Sequence, residues 1–207
     1  MEHRLKPGDR LVVATHNRGK AGEIRALLSP FGVQILSAAE LALPVPEETG
    51  KTFEENATIK ARAATRATGL PALADDSGLS VDALGGAPGV HSAYYAGREG
   101  SREERDQRNN DKLLANLSGS RSAHYVCVMV LVKNPEDQNP LVAEGLWRGE
   151  IARAPRGANG FGYDPLFFIK NLNKTAAELE PVHKNRISHR GIALQKLVGL
   201  LNESGRR

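Results

Sequence analysis

The chain reads as an α/β or α+β domain built on a mixed sheet, and three observations carry that reading. Short apolar stretches alternate with helical segments through the first half of the sequence. Two longer apolar stretches, Ser122 to Val132 and Leu141 to Trp147, flank the turn-rich segment Asn134-Pro135-Glu136-Asp137-Gln138-Asn139-Pro140, which is the pattern of an antiparallel hairpin. Helix-start signals recur at Thr52, Ser101, Thr175 and Ser188. Alternating strands and helices followed by a hairpin give a sheet with both parallel and antiparallel neighbours. At 207 residues the chain can bury a substantial core, and no internal repeat, low-complexity tract or interdomain linker divides it.

Taken in order, Leu11-Val12-Val13-Ala14 is a short buried strand, followed by a polar turn and a helix from Lys20 to Leu28. Val33 to Leu36 is a second strand. Thr52-Phe53-Glu54-Glu55 is a capping box, in which the threonine and the second glutamate satisfy each other's backbone donors. The helix it opens runs to about Thr68 and stops at Gly69. Pro71 to Ala74 is a strand ending in Asp75-Asp76-Ser77-Gly78, which is also good turn chemistry. Ser101-Arg102-Glu103-Glu104 opens a polar helix to about Leu117. Thr175-Ala176-Ala177-Glu178 repeats the pattern, and Ser188 caps a last apolar helix.

Composition narrows the function. Hydrophobic residues at 40% and charged residues at 25% are globular values. The net charge of +4 is mild and concentrated near the ends, in His3-Arg4-Lys6 and Arg206-Arg207, unlike the basic stripe of a nucleic-acid binder. The single cysteine, Cys127, lies inside the apolar run Tyr125 to Val132 and is expected to be a packing residue. That run falls well short of the roughly 20 residues a membrane helix needs, and the N-terminus lacks a signal-peptide pattern. A soluble, cytoplasmic protein is expected.

Six segments have residue types or a backbone suited to chemistry. Ser188-His189-Arg190-Gly191, just after Lys184 and Arg186, places an imidazole and a fixed cation at a helix N-terminus, where free backbone N–H groups already favour anions. Thr15-His16-Asn17-Arg18-Gly19-Lys20 lies where the first strand meets a helix, a second anion-binding position, although its spacing is not that of a P-loop. Glu47-Glu48-Thr49-Gly50, followed by Glu54, Glu55, Asn56 and Lys60, suits a hard cation such as Mg²⁺ as well as it suits solvated surface. In Asp75-Asp76, alternation along a strand lets only one acid point to a given side. Gly160-Phe161-Gly162-Tyr163-Asp164 pairs aromatics with an acid, suited to stacking on a flat ring and bonding its edge. The Gly/Pro loop Gly85-Gly86-Ala87-Pro88-Gly89 demands tight bends. No zinc signature and no nucleophile elbow is present.

In this order the segments resemble the non-canonical purine nucleoside triphosphate pyrophosphatase family, the inosine/xanthosine triphosphatases. The matching residues are Ala14-Thr15-x-Asn17-x-Gly19-Lys20, Glu48-Thr49-Gly50-x-Thr52-Phe53-x-Glu55-Asn56-Ala57, Ala74-Asp75-Asp76-Ser77-Gly78-Leu79 and Val81-Asp82-Ala83-Leu84-Gly85-Gly86-Ala87-Pro88-Gly89. They continue with Gly160-Phe161-Gly162-Tyr163-Asp164-Pro165 and Ser188-His189-Arg190-Gly191-x-Ala193-Leu194. Two positions depart from the family pattern: Tyr94 stands where an arginine is common, and His183 precedes Lys184 where an acid is usual.

The resemblance implies an α/β fold with a long, mixed, highly twisted sheet and helices forming two lobes around a central nucleotide cleft. It implies a flexible N-terminal extension over 1–9, one two-lobed domain over 10–201 and a tail over 202–207. The implied activity is Mg²⁺-dependent hydrolysis of ITP, dITP and XTP to the monophosphate and pyrophosphate by a homodimer, with no nucleic-acid or membrane partner. Asp76 is the expected general base and a metal ligand, and Glu48, in preference to Glu47, the second carboxylate. Thr15, His16, Asn17, Arg18, Gly19 and Lys20 are expected to hold phosphates. Lys60 and Ser77 are expected to contact the substrate, and Phe161, Gly162, Tyr163, Asp164, Lys184, His189 and Arg190 to line the nucleotide site. Arg190, which only donates, suits the purine 6-oxygen. The other readings are a related pyrophosphatase acting on modified pyrimidine or ordinary triphosphates, and a non-catalytic nucleotide sensor or nucleic-acid binder.

Overall fold

The computed structural model describes residues 5–204. Its elements are β1 (Arg10–Val13), α1 (Arg18–Leu28), β2 (Gln34–Ser37), α2 (Phe53–Thr68), β3 (Ala72–Val81), α3 (Arg102–Asn116), β4 (Ser122–Val132), β5 (Leu141–Ile151), β6 (Phe167–Ile169), β7 (Lys174–Thr175), α4 (Pro181–Ile187) and α5 (His189–Ser204). The seven strands form one sheet in the order β2-β1-β3-β4-β5-β6-β7. β1 runs parallel to β2 and β3, whereas β6 runs antiparallel to β5 and β7, so the sheet is mixed as expected.

The caps set the helices as the sequence predicts. The Thr52 hydroxyl accepts from the Glu55 N–H and the Glu55 carboxylate accepts from the Thr52 N–H, while Gly69 ends α2 at φ 68°. Ser101 and Glu104 repeat the box at α3. Thr175 and Glu178 also form one, but it opens only the single turn Ala176–Glu178. Pro181 explains the stop: it drives Glu180 to an extended ψ of 140°, then serves as the first residue of α4.

Three expectations are corrected. Asp75-Asp76-Ser77-Gly78 is no turn, because β3 runs straight through it to Val81. Residues 5–9 of the expected flexible extension are bonded to the chain after α1, through Gly8 N–H to Gly32 O at 2.9 Å and Gln34 N–H to Asp9 O at 2.8 Å. Residues 1–4 lie outside the described residues. The C-terminal helix continues through Ser204 into the expected tail, whose residues 205–207 lie outside the described residues.

The chain divides into two compact units. The first comprises 1–76, 127–145 and 190–207, and its core includes Leu11, Ile24, Leu73, Met129 and Leu197. The second comprises 77–126 and 146–189, and its core includes Leu79, Leu113, Tyr125, Trp147 and Phe167. Cys127 is fully buried, and burial pushes its thiol up to about 12, so it is an unreactive packing residue.

Candidate active site

The first unit holds a cluster of acids and cations around the end of its β3 segment. Alternation along the strand gives Asp75 and Asp76 different partners. Asp75, almost completely buried, accepts from Lys20 Nζ at 3.1 Å and from Arg190 Nη2 at 3.3 Å. Burial alone would raise its pKa, yet Lys20, Arg190 and Lys60 outweigh burial and hold the carboxyl well below the usual range. Arg190, 1% exposed, donates from all three guanidinium nitrogens to carboxylates, with Nη1 on Glu23 and the other two on Asp75.

Asp76 faces α2. Lys60 Nζ lies 2.8 Å from Asp76 Oδ1, and Asn56 Nδ2, one helical turn earlier on the same face, lies 3.4 Å from Oδ2. For Asp76 burial dominates over the attraction of Lys60 and Lys20, and its pKa stands above the ordinary aspartate value. The two neighbouring acids are thus driven apart, Asp75 toward permanent ionisation and Asp76 toward a proton-accepting range. Lys60 is also 2.9 Å from Glu48 Oε1, so Glu48 and Asp76 converge on one ammonium. Burial lowers the Lys60 pKa, but Asp76, Asp75 and Glu48 together raise it overall.

The first phosphate-binding candidate lies in the same unit. The Asn17 side chain caps α1 by accepting from the Lys20 N–H, and the Asn17 N–H donates to Thr15 Oγ1 at 3.2 Å. Thr15 is buried, Gly19 and Lys20 are half-buried, and Arg18 and His16 are exposed, with His16 Nε2 2.7 Å from Leu43 O. The helix N-terminus and the Lys20 ammonium make this an anion-binding end.

Two carboxylates converging where a cation already sits are hard oxygen donors of the kind Mg²⁺ takes one or two of, filling its remaining positions with water and phosphate oxygens. Glu48 and Asp76 therefore fit that ion. Among the described residues there is no group of three or more His, Cys, Asp or Glu that could hold a metal ion.

The second unit holds the aromatic residues. The partly exposed ring of Phe161 lies 4.7 Å from Arg102 Cζ and 5.0 Å from Lys184 Nζ. His189 stacks on Tyr125 with ring centres 4.5 Å apart and planes at 10°, and that stack continues to Trp147. Ser77 is half-buried on β3. Asp164, 2% exposed, binds Lys184 Nζ at 2.5 Å and the Phe161 N–H at 2.9 Å, while the Tyr163 hydroxyl donates to Ser92 O at 2.8 Å.

Several of the expected site residues have protein partners. Tyr163 is engaged by the Ser92 carbonyl, and Asp164 by Lys184 and the Phe161 N–H. Arg190, assigned to the purine 6-oxygen, is bound by Asp75 and Glu23, because a buried guanidinium must be neutralised. Tyr94, where an arginine is usual, has the guanidinium carbons of Arg98 and Arg105 at 4.2 and 5.7 Å from its ring centre, so positive charge returns from neighbouring residues. Sequence reasoning missed Glu23, Arg102, Asp106 and Asn110. Of these only Glu23 had a signal, its position one turn after Lys20 on α1.

A mixed sheet, a helix N-terminus beside Lys20 and two buried aspartates with opposed pKa shifts suit an α/β protein that handles phosphate groups. Comparison with known proteins narrows this. The chain belongs to the Ham1 family, whose model matches residues 11–200. It is 54% identical over 196 residues to the dITP/XTP pyrophosphatase of Burkholderia pseudomallei, covering 94% of each chain. It is 50% identical over 194 residues to the dITP/XTP pyrophosphatase of Coxiella burnetii, covering 94% of this chain and 97% of that one. The solved structure of a Ham1 protein from Coxiella burnetii superposes with a TM-score of 0.85 at 48% identity, over 94% of this chain and 99% of the other.

Proposed function

We propose that this chain hydrolyses deaminated purine nucleoside triphosphates, dITP, ITP and XTP, to the monophosphate and pyrophosphate. The observation that carries the reading is Asp76: a buried carboxyl with a raised pKa, held by Lys60 and Asn56 in a unit that also supplies a cationic helix end. A base works best when its pKa is lifted toward the operating pH, and burial does that here. The relatives named above are dITP/XTP pyrophosphatases, which directs the chemistry to this substrate class.

Phosphates are assigned to Thr15 through Lys20. Asp76 accepts a proton from a water as the water oxygen bonds to the α-phosphorus. The bond from that phosphorus to the bridging oxygen breaks, and pyrophosphate leaves. Negative charge grows on the leaving oxygens, and Lys20, fixed by Asp75, is the cation placed to oppose it. Lys60 keeps Asp76 and Glu48 oriented. Glu48 and Asp76 are the residues that would hold a Mg²⁺, which when bound would supply positive charge against the phosphate oxygens. Ring recognition is assigned to the second unit, to Phe161 with Lys184 and His189, and Arg190 is the organiser of Asp75. A homodimer and a cytoplasmic location belong to the same proposal. Among the described residues no helix is long and apolar enough to cross a membrane.

The test is a panel of ITP, XTP, dUTP, TTP, ATP and GTP, with and without Mg²⁺, followed by phosphorus NMR. Mg²⁺-dependent release of pyrophosphate from ITP and XTP, far faster than from the others, is the expected result. Stepwise release of orthophosphate would discard the α-phosphorus mechanism. A preference for dUTP or TTP would replace the substrate class.

A further inference from the structure

Phe161 lies between two glycines in the left-handed region, Gly160 at φ 76° and Gly162 at φ 64°. Such a turn needs residues without a Cβ, and neither glycine has a side chain to fasten the loop to anything else. Asp164 accepts from the Phe161 N–H at 2.9 Å, and a second fastening comes from α3, 52 and 56 residues away in sequence. The Gly162 N–H donates to Asp106 Oδ2 at 2.9 Å, and the Gly162 carbonyl accepts from Asn110 Nδ2 at 2.9 Å. Asp106 and Asn110 stand one turn apart on one face of α3, so a single helix face holds both polar groups of the residue that follows Phe161. Arg102, a turn earlier on that face, has its Nε 3.7 Å from Asp106 Oδ2 and its Cζ 4.7 Å from the Phe161 ring centre. Asn110 is only 8% exposed, so water is a poor substitute for its bond to Gly162.

We propose that Asp106 and Asn110 are positioning residues for base recognition: through Gly162 they fix the Phe161 ring, and with it the discrimination among purines. This rests on the assignment of Phe161 as a ring contact made above. Neither residue has a part in the proton transfer assigned to Asp76. Their loss therefore weakens ring binding while proton transfer at Asp76 continues. Arg102 attracts the ring itself by a cation–π contact, so one side of α3 holds both the residue that follows this aromatic and its ring.

The experiment compares Asp106→Ala, Asn110→Ala, Asp106→Asn and Phe161→Ala with the wild type on ITP and ATP. In the two α3 alanine variants the KM for ITP is expected to rise roughly ten-fold, the scale of one lost buried hydrogen bond. Their kcat at saturating ITP is expected within about two-fold of wild type, and their ITP-over-ATP preference falls as it does in Phe161→Ala. Asp106→Asn keeps an acceptor oxygen and restores most of the KM. Placed in a Phe161→Ala background, Asp106→Ala changes the KM no further, because both act on one ring. Unchanged KM and preference, or a full additional loss in that background, overturns the inference.

Hydrogen exchange at Gly162 gives a readout independent of turnover: its amide is protected in the wild type and exchanges faster in Asp106→Ala. Equal exchange in both proteins also overturns the inference, whatever the substrate. If Asp106→Ala does not fold, Asn110→Asp decides by the same measurements, since it keeps the shape and turns a carboxylate toward the Gly162 carbonyl. A wild type inactive on ITP but with Gly162 protection lost in the variant condemns the functional reading and leaves the clamp standing.

Discussion

Replacing Asp76 with asparagine separates chemistry from architecture. The amide keeps the shape of the side chain and still offers an oxygen to Lys60, which lies 2.8 Å from Oδ1 in the parent. What disappears is the ability to accept a proton. A general base contributes about 10²–10⁴ in rate, so the barrier rises by about 3–5 kcal/mol. Stability should not follow activity down. The Asp76 pKa is raised in the folded chain, chiefly by burial. A group of that kind stabilises the fold below its unfolded pKa and loses the contribution as pH rises through the folded one. At pH 7 the ionised acid is thus an opposing influence that the neutral amide removes. The assay is pyrophosphate release at saturating ITP, with a thermal melt of the same preparation. Turnover within about three-fold of wild type would refute the assignment. The wild-type kcat/KM should also fall on the acid side as Asp76 takes up its proton. Added Mg²⁺ should shift that limb to lower pH, since a nearby dication favours the ionised form.

Asp75→Asn should behave oppositely, because it removes a carboxylate from beneath two buried cations. A loss of about 3–5 kcal/mol is expected in urea unfolding. The sign with pH is fixed by its depressed pKa: the Asp75 contribution is fully present above the ordinary aspartate value of 3.8 and is lost as pH falls below it, so the gap between wild type and variant should close in acid. A stability difference that persisted unchanged into strong acid would count against this account. In the second unit, Leu113 is completely buried, and Leu113→Ala should lower stability by about 2–5 kcal/mol in the same measurement. A loss under about 1 kcal/mol would mean that this core is far more plastic than its burial suggests.

Local chemistry was legible and distant chemistry was not. The capping boxes at Thr52 and Ser101 form as read, because a cap is settled within four residues. The Ser122 to Val132 strand was legible from its apolar run. The segment Asp75-Asp76-Ser77-Gly78 has equally good turn chemistry, and it is extended as part of β3, which pairs with β1 and β4, strands distant in sequence. Arg190 illustrates the same limit. Its donors could be counted from the sequence, but Asp75 and Glu23 as their partners belong to the folded chain. The α3 residues Asp106 and Asn110 were hidden differently, since a strongly polar helix reads as solvated surface until the Gly162 peptide is seen against it.

The two aspartates divide their labour only by parity along a strand. β1 fixes that parity, pairing Val12 with Ala72 and Val13 with Leu73 immediately before the acids. Deleting Ala74 would carry Asp76 to the position beside Lys20 and Arg190, whereas inserting one residue there would carry Asp75 to the position beside Lys60; either change leaves the other acid without its partners. The length of this stretch is therefore fixed to the residue, a constraint on its evolution that no single-site substitution would reveal.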